Sequence, residues 1–186
     1  LFVFNPNAFI QRFDALALAL FTPRVLIAWC LLVLAAALAA GVHWPALKAH
    51  AGSWLLTPQG LLLAWLAYPV VKAIHELAHG LALRRWGGEV PQAGITLLML
   101  TPVPFVDASA ASAFREAHRR FTVSAAGILA ELALAALAVL LWTQVQPGTV
   151  RDLALIVATI GGVSTLAFNG NPLLRFDGYH MLSDAI

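Results

Sequence analysis

The sequence predicts an all-α polytopic membrane protein with about four transmembrane helices, and three observations carry that reading. Of the 186 residues, 61% are hydrophobic and 11% are charged, against about 45–50% and about 25% in soluble domains. The mean hydropathy is +0.83. Apolar stretches close to the ~20 residues that a bilayer requires recur at about 24–42, 60–85, 121–142 and 153–168.

The elements follow in order. Asn5-Pro6-Asn7 reads as a helix start, and Phe9, Phe13, Leu16 and Leu20 then recur at helical spacing. With Arg12 and Asp14 on other faces, this N-terminal segment suits an interfacial helix lying in the membrane surface; a first core helix packed on its neighbours fits the same pattern. Pro23 ends it, and the first span follows. Gly87-Gly88 stops the second span. After it comes Ile95-Thr96-Leu97-Leu98-Met99-Leu100, flanked by Pro91, Pro102 and Pro104. A six-residue run is too short to cross a bilayer. It fits a re-entrant or β-hairpin loop between spans two and three, or a loop packed on the helices. A strand edge there can pair with an extended peptide. Gly161-Gly162 suits close helix packing, and Trp44, Trp54, Trp86 and Trp142 read as interfacial anchors. His43, His50 and His118 fall in loops or at interfaces and have no metal role.

The basic residues orient the four-span arrangement. Arg12, Arg24, Arg84, Arg85, Arg115, Arg119, Arg120 and Arg175 fall on one side, Lys48 and Arg151 on the other, and Lys72 within a span. By the positive-inside rule the N-terminus, the loop 86–113 and the C-terminus are cytoplasmic. The net charge is only +2, so the basic pI reflects this asymmetry and not a nucleic-acid surface. Cys30 is the only cysteine, which excludes an intrachain disulfide and a cysteine-based zinc cluster. The first residue is Leu1 and no basic n-region precedes an apolar run, so the chain reads as an excerpt of a longer protein.

His75-Glu76-Leu77-Ala78-His79 lies inside the second span. Two imidazoles four residues apart share one helix face and can bind one metal ion. The glutamate beside the first stands where it can act on water at that metal. Ionisable residues at membrane depth are costly and as a rule functional. A catalytic zinc usually has three protein ligands, and the acidic residues near membrane depth that can supply the third are Glu131 and Asp177.

Asp177 sits in Asn169-Gly170-Asn171-Pro172-Leu173-Leu174-Arg175-Phe176-Asp177-Gly178-Tyr179-His180. This stretch, with the HELAH motif about 100 residues before it, resembles the site-2 protease family of intramembrane zinc metalloproteases. That family's second signature is N-x-x-P-x-x-x-L-D-G, matched here by Asn169, Pro172, Phe176 in place of leucine, Asp177 and Gly178. The resemblance covers roughly residues 60–184 and implies that Asp177 is the third zinc ligand. The physical reading agrees: Pro172 breaks the fourth helix, so the freed segment can turn Asp177 back toward span two. The wording of Thr101–Asp107 (TPVPFVD) and Arg175–His180 is similar to bacterial peptide zinc metalloproteases associated with secretion adaptors. One departure stands out. Where the family commonly has G-P-x-x-N, this chain has Gly127-Ile128-Leu129-Ala130-Glu131. Glu131 can pair with Lys72 and support the site, contact substrate, or bind metal. Asn169 and Asn171 can orient substrate or cap freed backbone groups, and His180 can support the site or be an ordinary polar residue.

Residues 1–186 thus read as a single membrane-embedded metalloprotease domain, with the interfacial helix and first span in 1–58 and the catalytic core in 59–186. The expected activity is hydrolysis of a peptide bond in a membrane-embedded segment or hydrophobic peptide, with one Zn2+ per chain held by His75, His79 and Asp177 and Glu76 as the base. The expected setting is a bacterial inner membrane, with the lipid bilayer, a peptide substrate and a secretion adaptor as partners and no nucleic acid. The alternative is a non-proteolytic metal-binding membrane module that handles peptides. A proton-relaying transporter lacks an inverted repeat, and the histidine spacing does not suit a di-iron oxidase.

Overall fold

Thr22 and Thr57 begin two of the long helices in the same way. Their hydroxyls accept from the N–H groups of Val25 and Gly60, at 3.4 and 3.1 Å, and Pro23 and Pro58 occupy the first turn, where a missing N–H has no partner to lose. Pro23 therefore opens α3 (Pro23–Val42) as well as ending the segment before it. In the computed structural model, which describes residues 2–98 and 100–185, the chain is mostly helical. Among the described residues, four helical runs are long and apolar enough to cross a membrane: α3, α5 (Pro58–Arg85), α6 (Ala117–Gln144) and Thr149–Asn169. The last consists of α7 (Thr149–Ala158) and a π-helical stretch, Thr159–Asn169. The end of α5 is a Schellman turn. Gly88 N–H donates to Leu83 O at 3.0 Å and Gly87 N–H to Arg84 O at 3.1 Å, with Gly87 at φ +76°, a left-handed conformation that glycine tolerates.

The packing separates a protein-covered core from a surface that no protein covers. Only 6% of the most apolar window of α3 is buried, against 50% for α6. Leu26, Ile27, Leu31, Leu34 and Leu38 of α3 are exposed, more contiguous apolar surface than water-soluble proteins usually leave bare. Helix α6 is central and packs against α3, α5, α7 and a short final helix α8 (Asp177–Ala185). Trp29 Nε1 donates to Leu129 O at 2.8 Å and pins α3 to α6. A Cβ on Gly161 would lie 2.6 Å from Glu131 O, so glycine is what lets the fourth run approach the backbone of α6.

The N-terminal segment forms α1 (Asn7–Ile10), a 3-10 turn (Gln11–Phe13) and α2 (Asp14–Leu20). Its buried stripe is not the one marked by Phe9, Leu16 and Leu20, which are exposed. Ile10 and Ala17, two helical turns apart, enter the core instead, beside Leu81, Leu83, Val123 and Ala126. Arg84 forks onto Asp14, with Nε–Oδ1 at 2.9 Å and Nη2–Oδ2 at 2.7 Å. These hydrogen bonds hold the Asp14 carboxyl below the usual carboxylate range.

A three-stranded antiparallel sheet lies beside α5, in the order β1 (Phe2–Phe4), β2 (Ala93–Leu98), β3 (Thr101–Val106). The hairpin β2–β3 occupies the run between spans two and three; Met99, which that run includes, lies outside the described residues. Strand β1 was not signalled by the sequence pattern. Ala93 pairs with Val106 and Leu98 with Thr101, and Asp107 N–H donates to Gln92 O at 2.8 Å. By strand alternation Thr101, Val103 and Phe105 then bond to β2, and Pro102, Pro104 and Val106 turn their backbone groups to the outer edge. A proline fits only there, because it has no N–H to give a ladder.

The opposite end corrects one expectation. A helix, α4 (Trp44–Trp54), fills the connection between α3 and α5 and carries His50, one of the histidines expected in loops or at interfaces. Trp142 is 1% exposed and not an interfacial anchor. Leu47 packs on it, its Nε1 donates to His50 Nδ1 at 2.9 Å, and the Arg151 guanidinium lies 4.1 Å from its ring centre. His50 Nε2 is 3.0 Å from Asp152 Oδ1. Once α4 folds back, the indole N–H finds a protein partner and no longer needs the water boundary.

Candidate metal centre

The HELAH motif occupies the second half of α5. The four-residue spacing stacks His75 and His79 on one buried face, with their Nε2 atoms 3.0 Å apart. The outer ring nitrogens set the orientation. His79 Nδ1 donates to Val123 O at 2.7 Å. A carbonyl can only accept, so Nδ1 carries the proton and Nε2 turns its lone pair inward. His75 Nδ1 faces Glu131 Oε1 at 3.1 Å, within ion-pair range but without the geometry of a hydrogen bond.

Gly127 makes room for both rings. A Cβ at that position would run into Cε1 and Nε2 of His75, so a larger residue on α6 overlaps the imidazoles. The glycine is visible in the sequence as the first residue of Gly127–Glu131, but only the packing of α5 on α6 puts it beneath the histidines.

Asp177 opens α8. After Asn169 the chain reverses, with Gly170 N–H donating to Thr165 O at 2.8 Å. Gly178 packs on that turn so closely that a Cβ would lie 2.6 Å from the Gly170 carbonyl carbon. At the far end of α8, Asp184 Oδ1 accepts from Arg120 Nε at 2.7 Å, tying α8 to α6. Asp177 Oδ2 is thereby held 3.0 Å from His75 Nε2 and 3.5 Å from His79 Nε2.

His75 Nε2, His79 Nε2 and Asp177 Oδ2 lie 3.0, 3.0 and 3.5 Å from one another, a cluster that a metal ion or a shared proton can hold together. Ligands at about 2.0–2.1 Å around a tetrahedral ion are about 3.3–3.4 Å apart. The residues therefore fit a divalent metal with an open fourth position. No protein-family model, curated protein or solved structure matches this chain. What the site can do rests on its own atoms.

Glu76 is half-buried beside the histidines, and its Oε2 accepts from the Val106 N–H at 2.8 Å. With His79, Val106, Asp177 and His180 it lines a cavity of about 510 Å3 that opens between β3, α6 and α8. One carboxylate oxygen is thus held by the outer strand edge, and the other is free to accept a proton.

Glu131 is fully buried on the far side of His75 and lies outside that cavity. Lys72 Nζ is 2.6 Å from its Oε1. Its Oε2 accepts from the Thr165 hydroxyl and from Asn169 Nδ2 at 3.3 Å. Asn169 thus serves Glu131, whereas Asn171 is used locally, its Oδ1 accepting from Leu173 N at 2.9 Å. Sequence reasoning missed Thr165 and the Val106 N–H. Thr165 sits four residues before Asn169, a spacing that could have paired them on one helix face. The Val106 contact is made by backbone, which leaves no mark in residue type.

Proposed function

We propose that this chain is an intramembrane zinc metalloprotease, similar to the site-2 protease family, that hydrolyses a peptide bond in a membrane-embedded segment or a hydrophobic peptide. The observation that carries the reading is the convergence of His75 Nε2, His79 Nε2 and Asp177 Oδ2 next to a glutamate that shares their cavity. Two imidazoles and a carboxylate suit one Zn2+ per chain. When bound, that ion supplies Lewis acidity, acidifying water and polarising a carbonyl. Glu76 takes the water proton on its free oxygen and delivers it to the leaving amine nitrogen as the C–N bond breaks. Its other oxygen stays on the Val106 N–H, which keeps the base aimed during both transfers.

The strand edge supports presentation of an extended substrate. A helical carbonyl is already hydrogen-bonded, so a membrane segment must unwind before it is cut. The outer edge of β3 offers the carbonyls of Pro102 and Pro104 as acceptors along the approach to Glu76. A second cavity of about 290 Å3, lined by Trp65, Tyr68, Leu98, Thr101 and Val103, flanks the hairpin tip and suits apolar side chains. In this reading the hairpin is re-entrant, with Ile95, Leu97 and Leu98 exposed to lipid, and the exposed Phe9, Leu16, Leu18 and Leu20 lay α1 and α2 along the interface. The excess of basic residues on one side supports cytoplasmic termini; the setting we propose is a bacterial inner membrane, with a secretion adaptor as the expected partner. The rival reading is a metal-binding module that does not cut peptides, and it draws on the Glu131 departure.

The deciding experiment is zinc content and peptide hydrolysis of the full chain purified in detergent, compared with Asp177→Ala and Glu76→Gln. The protease reading expects near-stoichiometric zinc in the wild type, marked loss in Asp177→Ala, and zinc without hydrolysis in Glu76→Gln. Undiminished cleavage by Glu76→Gln removes Glu76 from the chemistry. A folded wild type without zinc overturns the metal site.

A further inference from the structure

A carboxylate with no exposure at all on a membrane-depth helix requires a reason, and Glu131 has four neighbours that supply one. Lys72 Nζ lies 2.6 Å from Oε1, and His75 Nδ1 lies 3.1 Å from the same oxygen. The Thr165 hydroxyl and Asn169 Nδ2 satisfy Oε2. The group thus joins three helical runs, α5, α6 and Thr159–Asn169, and Gly161 lets the third come close enough to take part. Glu131 does not line the cavity that holds Glu76 and Asp177, so substrate there does not meet it.

We infer that Glu131 is a positioning residue for the metal site: it sets a carboxylate 3.1 Å from the His75 ring nitrogen remote from the metal face, and Lys72, Thr165 and Asn169 hold Glu131. The inference rests on the metal-site reading above. His75 differs from His79 in this respect. The His79 ring is oriented by a backbone carbonyl, Val123 O, which no substitution removes, whereas the His75 ring depends on a side chain from another helix. A carboxylate at the distal nitrogen fixes the tautomer and raises the basicity of the ligating one, and such partners are worth about 10–100-fold in metal affinity. Lys72 then has a defined purpose. It neutralises a charge that has no water, and removing either partner alone leaves the other buried and unpaired.

A merely structural ion pair makes a different prediction from a positioning residue, and an apolar replacement separates them. A buried ion pair can often be exchanged for apolar residues of similar volume with no loss of stability. In Lys72→Met/Glu131→Leu, the detergent-purified full chain should keep its helical circular dichroism. Its Zn2+ affinity, measured by chelator competition, should fall by about 10–100-fold, and the visible spectrum of the Co2+-loaded chain should change. Affinity within twofold of wild type with an unchanged Co2+ spectrum overturns the inference. Thr165→Val removes one hydroxyl and does not depend on the double variant folding; it should show a smaller loss in the same direction, and unaltered affinity there counts against the inference. A wild type that binds neither metal overturns the site reading and this inference together. Metal-loaded wild type with indifferent variants overturns the inference alone.

Discussion

The Val106 N–H donates to Glu76 Oε2 at 2.8 Å, so the outermost strand of the sheet grips one oxygen of the proposed base. Val106 shares this outer-edge direction with Pro102 and Pro104, and its N–H is the one donor among the three. Replacing it leaves the ladder to β2 intact, because Val106 sits opposite Ala93 at a position without ladder bonds. Val106→Pro should therefore keep zinc near the wild-type level while lowering the turnover of a hydrophobic peptide about 10–100-fold. Zinc content and kcat measured on the same preparation check it, and an unchanged kcat removes this contact from the mechanism.

Gly127 should tolerate no side chain. A Cβ there collides with the His75 ring, although alanine is the better helix former. Gly127→Ala is expected to retain helicity and lose most of its zinc. Circular dichroism and metal analysis read the two effects separately, and a zinc-replete alanine variant contradicts the packing described.

The edge of β3 should discriminate between substrate backbones. An extended peptide beside it can donate N–H groups to the Pro102 and Pro104 carbonyls but receives no N–H from either proline. N-methylation at the two donating substrate residues removes two hydrogen bonds of about 1 kcal/mol each, lowering kcat/KM about 30-fold, and methylation at the intervening residue should have little effect. Equal sensitivity at all three positions speaks against strand pairing.

Acid should loosen the N-terminal helices. Hydrogen bonds from Arg84 depress the Asp14 carboxyl. The stabilisation is fully present above the free-carboxyl value of about 3.9 and is lost as the pH falls through the lower, folded value. Hydrogen exchange across residues 7–20 should accelerate only in strongly acidic solution for the wild type. In Asp14→Asn, which cannot titrate there, exchange should be fast already at neutral pH. Identical protection in the two proteins shows that Ile10 and Ala17 hold the segment without the ion pair.

Much of the candidate site was legible from local spacing. His75, Glu76 and His79 lie within five residues of one helix, so their common face follows from helical geometry alone. The long apolar runs follow equally directly from what a bilayer demands of backbone hydrogen bonding. The Glu131 alternatives were narrower than they looked, since Lys72 lies one turn before His75, but choosing among them required the distance between α5 and α6.

Other features were decided only by tertiary structure. The segment Asn5–Leu20 carries two apolar stripes, and the choice of Ile10 and Ala17 over Phe9 and Leu16 depends on which residues of α5 lie opposite. Trp142 looked like an interfacial residue until α4 covered it. β1 finds its place only because β2 has a free edge. The residues by themselves determined the long apolar helices and the common face of two candidate metal ligands, because these depend on neighbours within a turn. The approach of Asp177 to the histidines, the grip of Val106 on Glu76 and the burial of Glu131 depend on groups 30 to 102 residues apart in the chain, and only the packing of the helices and strand brings such groups within bonding distance.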